Sequence, residues 1–184
     1  MPTLFAALAL AAAAYAPANH ARPLHKALAT HAVVHVHAAR SQNALESGLL
    51  EQINAVRGQN GLRPFRLSAR LGAAARQHSL SMAGKGYFSH DSANGTAFWR
   101  RIASFYGYNG YSQWSVGENL LWSSPDTSVA GALHLWLTSP EHRANLLDRS
   151  WREIGLSAVH VPSAPGVYGG SAVTIVTADF GVRY

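Results

Sequence analysis

Apolar residues recur at helical spacing just after the first quarter of the chain. Leu49, Leu50, Ile53 and Val56 lie on one side of a helix with 3.6 residues per turn. We therefore predict an amphipathic helix over 45–58. The Asn-Gly pair that follows should end it, because both residue types favour turns.

A second stripe of apolar positions predicts another helix from Ser68 to about Gly84. Serine is favoured just before a helix because its hydroxyl accepts a backbone N–H of the first turn. The stripe repeats every three or four residues and should face the core. It consists of Leu71, Ala74, Ala75, His78 and Met82. A shorter helix is predicted over 96–106.

The second half of the chain alternates predicted strands and helices. A segment that begins Ser139-Pro140-Glu141 is typical of a short helix, with Ser139 as its cap and Pro140 at the first helical position. The other predicted elements are strands over 115–122, 153–161 and 172–182 and a helix over 127–137. This order predicts an α/β fold, a three-layer α/β/α sandwich with a small, mainly antiparallel central sheet.

The start of the chain has the pattern of an exported protein. Residues 4–16 are apolar but too few to span a membrane, and small residues follow them. We expect 1–18 to be a signal peptide, cut after Ala16 or Ala18. Residues 19–44 are rich in His and Ala, and we expect a flexible linker there, although His-rich tracts also bind transition metals. The folded domain is then 45–184, without a transmembrane span, at the cell surface, in the periplasm or secreted.

Composition excludes several classes of function. The chain of 184 residues has no cysteine, so disulfides, thiolate metal sites and cysteine nucleophiles are impossible. All nine acidic residues and twelve of the fifteen basic ones lie at or after Glu46, an excess of three positive charges. This excess lacks the dense basic stripe of a nucleic-acid binder. Neither a P-loop nor the Gly-x-Ser-x-Gly motif of serine hydrolases is present.

Three polar motifs each supply one ionisable side chain next to turn or capping residues. These side chains are His90, Glu118 and His142. Two imidazoles and a carboxylate form a three-ligand set for a zinc-like ion, with one coordination position open. The same trio can transfer protons without a metal. Alternatively, Glu118 is a buried carboxylate with His90 as its hydrogen-bond partner. All three interpretations remain open. The start of the short helix should keep His142 neutral.

The chain contains four motifs, given below, whose sequence and order resemble those of the CAP superfamily of SCP-like domains, in its short bacterial form. The likeness covers roughly 46–183 and also includes Leu50-x-x-Ile53-Asn54-x-x-Arg57 and Gly61-Leu62-x-Pro64. The four motifs are Phe88-Ser89-His90-Asp91, Gly117-Glu118-Asn119-Leu120, Trp136 to Leu147 with Ser139-Pro140-Glu141-His142-Arg143 at its centre, and Thr177-Ala178-Asp179-Phe180-Gly181. The resemblance implies the sandwich fold and a location outside the cytoplasm.

The resemblance also implies a set of cleft residues. Larger CAP proteins have two His and two Glu in the cleft, and His90 and Glu118 match the first of each. The other two positions hold Ser139 and Ile175 in this chain. Short bacterial members share the His of Ser-Pro-x-His-Arg, so His142 is the candidate that compensates.

The functional prediction has one main form and two alternatives. The main hypothesis is a non-enzymatic binding module for an extracellular lipid, glycan or protein, with a cleft lined by His and Glu. The first alternative is a metal-assisted, peptidase-like hydrolase that uses His90, Glu118 and His142, with zinc as its cofactor. The second is a structural domain with the trio closed to solvent. His78 and His134 are expected to pack in the core. The aromatic residues Trp99, Tyr106, Tyr111 and Trp114 either pack in the core or line a sugar or lipid groove.

Overall fold

The computed structural model describes residues 31–184, with side-chain surroundings from residue 44 onward. The predicted signal peptide and the first part of the linker lie outside the described residues. In chain order the described elements are α1 (His31–Gln59), β1 (Arg66–Leu67), α2 (Ala69–Lys85), α3 (Phe98–Phe105), β2 (Trp114–Ser123), α4 (Val129–Thr138), α5 (Pro140–Leu147), β3 (Glu153–Val161), a short 3-10 helix (Gly166–Tyr168) and β4 (Val173–Arg183).

The four strands form one sheet in the order β1-β3-β4-β2. Strand β4 lies in the centre and pairs antiparallel with both β2 and β3, whereas β1 pairs parallel with β3. The three predicted strands and the mainly antiparallel sheet are therefore confirmed. Strand β1 was not predicted, because two residues are too few to show a period.

Helices cover both faces of the sheet. On one face, α1 packs against β3, and α4 and α5 pack against β2, around a large apolar cluster that includes Leu49, Trp136, Leu146 and Phe180. On the other face, α2 and α3 pack through smaller clusters around Leu71 and Met82. The predicted α/β/α sandwich is confirmed, and its core lies in two layers on either side of the sheet. Among residues 31–184, no helix is long and apolar enough to cross a membrane.

The helix ends follow the predicted signals with two exceptions. The Ser68 hydroxyl accepts the N–H of Leu71, as expected for an N-cap, and α2 ends at Gly86, whose φ of 71° suits glycine. Helix α1 begins at His31, upstream of the predicted start at 45. Ser139 precedes α5, but its hydroxyl caps no backbone N–H of the helix, contrary to our expectation. The predicted domain bounds at 18 and 44 stay predictions.

A glycine lets α2 lie close to the sheet. A Cβ atom added at Gly155 of β3 would lie 2.1 Å from the backbone nitrogen of Gly72 and 2.1 Å from the carbonyl carbon of Leu71. Backbone atoms cannot yield to such a contact as a flexible side chain does, so any side chain here must push α2 away from β3. The close approach places α2 and the segment after it against the face of the sheet that carries Glu118.

We expect Gly155→Ala to destabilise the fold by about 3 kcal/mol or more, because overpacking at a rigid backbone contact forces the layers apart. Gly84→Ala is the matched control, since nothing lies within 4 Å of its added Cβ and alanine favours the helix. Urea unfolding of both variants measures the effect. Equal stability of the two variants would contradict this account of the packing.

Candidate functional site

Glu118 lies in the middle of β2 and points to the face of the sheet covered by α2 and α3. Its side chain is only 1% exposed. One carboxylate oxygen, Oε1, lies 2.8 Å from Nδ1 of His90. The other, Oε2, forms an ion pair with Nη2 of Arg101. Both oxygens of Glu118 therefore have partners from the chain itself.

Arg101 connects Glu118 to the segment that carries His90. Its side chain rises from α3 and is 4% exposed. Besides the ion pair, its Nη1 donates to the carbonyl oxygen of His90 at 2.8 Å. The next residue, Asp91, accepts the N–H of Phe98 at 3.1 Å and so supplies a cap for α3, which lacks one from its own N-cap residue. These bonds fix the loop between α2 and α3 on the sheet.

Asp179 of β4 stands directly opposite Glu118 in the β2–β4 register. It is completely buried. Neither oxygen of Asp179 receives a hydrogen bond from a donor of the described residues. A proton on one of the two carboxyl groups allows a hydrogen bond between them, which removes the cost of an unpaired buried charge. Burying this pair of carboxyls without such a proton would be costly.

Burial raises the pKa of both carboxyl groups. The pKa of Asp179 lies well above its usual range because of burial and then the negative charge of Glu118. Burial raises the pKa of Glu118 to about 7, although Arg101 favours its ionised form. The positive charge of Arg101 balances one carboxylate and not two. We therefore place the retained proton on Asp179, since Arg101 and His90 both bond to Glu118 and not to Asp179.

His90 is the member of this network nearest to solvent, with 21% of its side chain exposed. Burial, followed by the charge of Arg101, lowers its pKa, which favours the neutral ring. A neutral imidazole that donates from Nδ1 to Glu118 has no proton on Nε2. The ring also meets Phe98 edge-on, with centroids 6.2 Å apart. His90 is thus held in one tautomer and one orientation.

His142 lies on α5, which the structure ties to β2 through two asparagines. Asn119 donates to the carbonyl oxygen of His142 at 2.9 Å, and Asn145 donates to the side-chain oxygen of Asn119 at 2.9 Å. Burial and then the charge of His90 lower the pKa of His142. The direction agrees with our expectation, and burial is its largest cause.

His90 contacts Glu118, and the charge of His90 affects the pKa of His142, but a metal role for these three residues stays a prediction. From residue 44 onward, no group of three or more His, Asp or Glu side chains is arranged to hold a metal ion. The chemistry of the site agrees, because His90 and Arg101 already occupy both oxygens of Glu118. A zinc-like ion does not fit this arrangement unless the buried guanidinium of Arg101 loses its partner.

The other candidate residues have different surroundings. Ile175, at a position of the larger CAP cleft, is fully buried in the apolar cluster around Met82. Ser139 lies 3.5 Å from a carboxylate oxygen of Glu141 and contributes nothing to the network. His78 packs in the core as predicted, and its Nε2 donates to the carbonyl oxygen of Ser89 at 2.9 Å. Burial lowers its pKa to about 3. The prediction for His134 was wrong, because this residue is exposed.

Sequence reasoning missed Arg101 and Asp179 as members of the network. A signal for Asp179 was present, since it is the only charged residue between Val173 and Val182 in a strand that is otherwise apolar or uncharged. Such a residue must find a buried partner. Arg101 gave a weaker signal, because it follows Arg100 and the helix pattern alone does not show which of the two is buried.

Comparison with known proteins identifies relatives of the chain. The model of the family described as CAP, the Cysteine-rich secretory protein family, matches residues 50–180, although this chain has no cysteine. The uncharacterized protein YkwD of Bacillus subtilis (strain 168) is 30% identical over 122 residues, which cover 66% of this chain and 45% of YkwD.

Solved structures share the fold. An extracellular protein containing a SCP domain from Bacillus anthracis str. Ames is 26% identical, with a TM-score of 0.57, over 76% of this chain and 40% of that one. An outer surface protein from Borrelia burgdorferi is 18% identical, with a TM-score of 0.56, over 74% and 90% of the two chains, and it shows the fold alone. The chain spans less than half the length of YkwD and of the Bacillus anthracis protein.

The carboxyl pair predicts how stability depends on pH. A carboxyl whose pKa rises on folding keeps its proton where the unfolded chain has lost it. Its contribution to the free energy of unfolding is fully present below the unfolded pKa, near ~4, and is lost as pH rises through the folded pKa. For each retained proton, the loss is about 1.4 kcal/mol per pH unit. Asp179→Asn removes one of these carboxyls, so the variant should lose less stability than the natural chain between pH 5 and pH 8.

Urea unfolding at the two pH values measures this difference. The quantity of interest is the free energy of unfolding of Asp179→Asn minus that of the natural chain. This difference should be larger at pH 8 than at pH 5 by about 1.4 kcal/mol or more. Glu51→Gln is the control, because Glu51 is exposed on α1 and its side chain need not be dehydrated on folding. A relative stability of Asp179→Asn that is the same at both pH values would show that the pair holds no extra proton.

Proposed function

Because the chain belongs to the CAP family, we propose that it acts outside the cytoplasm as a non-enzymatic binding module for a lipid, glycan or protein. The observation that carries this proposal is the state of Glu118. Its side chain is 1% exposed, and both of its oxygens are bonded within the protein. A carboxylate in this position supports the shape of a surface and is not free to act on a substrate.

The buried network supports this role by fixing the loop between α2 and α3. His90, at its outer end, is partly exposed and held in one tautomer by Glu118. An imidazole with Nε2 unprotonated offers a ligand one well-oriented hydrogen-bond acceptor. Polar groups fixed in this way give a binding site its specificity, because the ligand does not have to order them.

The alternative is a metal-assisted hydrolase that uses His90, Glu118 and His142. Such an enzyme needs a ligand or general base within reach of a solvent-open point. Glu118 does not meet this requirement while Arg101 is bound to it. Releasing Glu118 would leave a guanidinium buried without a partner, which costs several kcal/mol. We therefore favour the binding module.

The proposal of export rests on the predicted signal peptide and on one relative. The apolar run at 4–16 precedes small residues, and the 26% identical Bacillus anthracis protein is described as extracellular. Amino-terminal sequencing of the native protein tests this proposal. A start between Pro17 and about His25 would support export, and an intact Met1 in the cytoplasm would contradict it.

The variant Glu118→Ala tests the structural role of the carboxylate against a metal role. The change leaves Arg101 buried without its partner, so we expect a loss of about 3–5 kcal/mol in the free energy of unfolding. The loss should be the same with and without zinc at pH 7.5, where unprotonated imidazoles are available to a metal. Thermal melting of the natural chain and the variant, each with and without zinc, provides the four values required.

The His-rich segment before residue 45 is present in both proteins, so zinc bound there affects both equally. Glu51→Ala is the control for loss of a glutamate, because Glu51 is exposed. If zinc stabilises the natural chain and not Glu118→Ala, Glu118 is a metal ligand and the hydrolase becomes the better account.

A further inference from the structure

The loop between α3 and β2 presents aromatic side chains to solvent. Residues 106–114, which we call the tyrosine loop, have the sequence Tyr-Gly-Tyr-Asn-Gly-Tyr-Ser-Gln-Trp. Tyr108 is 54% exposed and Tyr111 is 43% exposed, and Trp114 is partly exposed. Large exposed aromatic side chains that cluster in one loop are unusual on a protein surface without a binding partner.

Contacts within the protein hold these rings in place. Trp114 donates its indole N–H to the carbonyl oxygen of Tyr106 at 2.7 Å and meets Tyr108 edge-on, with ring centroids 5.7 Å apart. The N–H of Tyr111 donates to the carbonyl oxygen of Tyr108 at 3.1 Å and closes the turn. The turn contains Gly110, whose φ of 86° suits glycine. Tyrosine has few rotatable bonds, so a ligand that contacts this loop has little left to order.

Arg183 of β4 contacts the tyrosine loop through its guanidinium group. Its guanidinium lies 4.0 Å from the ring centroid of the buried Tyr106 and 4.7 Å from that of Tyr111. It also donates to the carbonyl oxygen of Gly107 at 3.2 Å. The positive charge of Arg183 is therefore used to stack and anchor the loop.

The composition of the loop indicates which ligand it suits. The loop has no Leu, Ile, Val or Met and no charged residue, and its polar side chains are the neutral Asn109, Ser112 and Gln113. A surface that binds a membrane typically combines inserting Trp, Phe or Leu side chains with several basic side chains that meet anionic lipids, and the loop has no basic residue. A sugar ring has an apolar C–H face that stacks on an aromatic ring and hydroxyls that bond to amides and phenols. An uncharged surface of this kind matches an uncharged sugar.

We propose that the tyrosine loop is a binding surface for an uncharged glycan chain, with Tyr108 and Tyr111 stacking on its sugar rings. The surface is separate from the network around Glu118. Trp114 and Glu118 are four residues apart on β2, which is roughly 13 Å along a strand. The proposal goes beyond a general binding module, because it names both the place and the chemistry of the ligand. It does not depend on the role of Glu118.

Calorimetric titration of the full chain with three soluble hexasaccharides tests the proposal. The probes are the hexamer of N-acetylglucosamine and the β-linked and α-linked hexamers of glucose, all uncharged. We expect binding of at least one probe. Tyr108→Ala and Tyr111→Ala should each weaken it by about tenfold or more, because each removes one stacking ring. Tyr108→Phe keeps the ring and should bind within about threefold of the natural chain.

Leu135→Ala is the matched control, since Leu135 is an exposed apolar residue on α4, away from the loop. It should leave binding unchanged, and melting curves show whether each variant remains folded. Failure of the natural chain to bind any of the three probes would overturn the proposal. Equal binding by the natural chain and both alanine variants would overturn it too.

Vesicles of phosphatidylcholine with phosphatidylglycerol provide the remaining comparison. Binding of the chain to these vesicles through Tyr108, without binding to the hexasaccharides, would make the loop a lipid surface and overturn the glycan proposal. Neither result changes the outcome of the zinc experiment on Glu118. The glycan proposal and the binding-module proposal therefore fail on different observations.

Discussion

The ion pair between Arg101 and Glu118 is the interaction on which the rest of the site depends. A buried carboxylate halfway along the edge strand β2, opposite a second carboxyl on β4, is costly, and one guanidinium balances only one negative charge. The proton that we place on Asp179 removes the remaining charge. Because Arg101 also bonds to the backbone of His90, the same ion pair that stabilises the sheet fixes the segment that faces solvent.

This arrangement is the reason why we propose a binding role for the site and not a catalytic one. The cleft residues of larger CAP proteins imply four ionisable groups, but this chain has Ser139 and Ile175 at two of those positions. Ile175 lies among apolar side chains in the core, and Ser139 stands outside the network. Of the matching pair, Glu118 is buried and bonded, and His90 is the one with an exposed edge. An ionisable set reduced in this way shapes a surface more readily than it activates a water molecule.

Much of the fold could be predicted from the sequence because its signals are local. Ser68 caps α2 through a bond to a residue three positions away, and the apolar stripe of α2 is buried as its spacing indicated. The contact between His90 and Glu118 was expected from the order of the motifs, since no local rule predicts it. The pairing of Glu118 with Asp179 depends on the register of two strands far apart in sequence. A single sequence does not show that register, so the buried carboxyl pair was missed. The error at His134 has a similar cause, since the sequence did not show which side of α4 faces the core.

The central claim is that Asp179 keeps its proton well above the usual pH range of an aspartate carboxyl, while Glu118 is bonded to Arg101 and His90. Carbon-13 NMR of the side-chain carboxyl groups measures this directly, because protonation changes the chemical shift of the carboxyl carbon. With labelled aspartate, the account predicts that the Asp179 signal of the folded protein keeps its protonated shift at pH values where the aspartates of the urea-unfolded chain have lost their protons, because burial and the charge of Glu118 raise the pKa of Asp179. An Asp179 signal that changes over the same pH range in the folded protein as in the urea-unfolded chain would contradict the account.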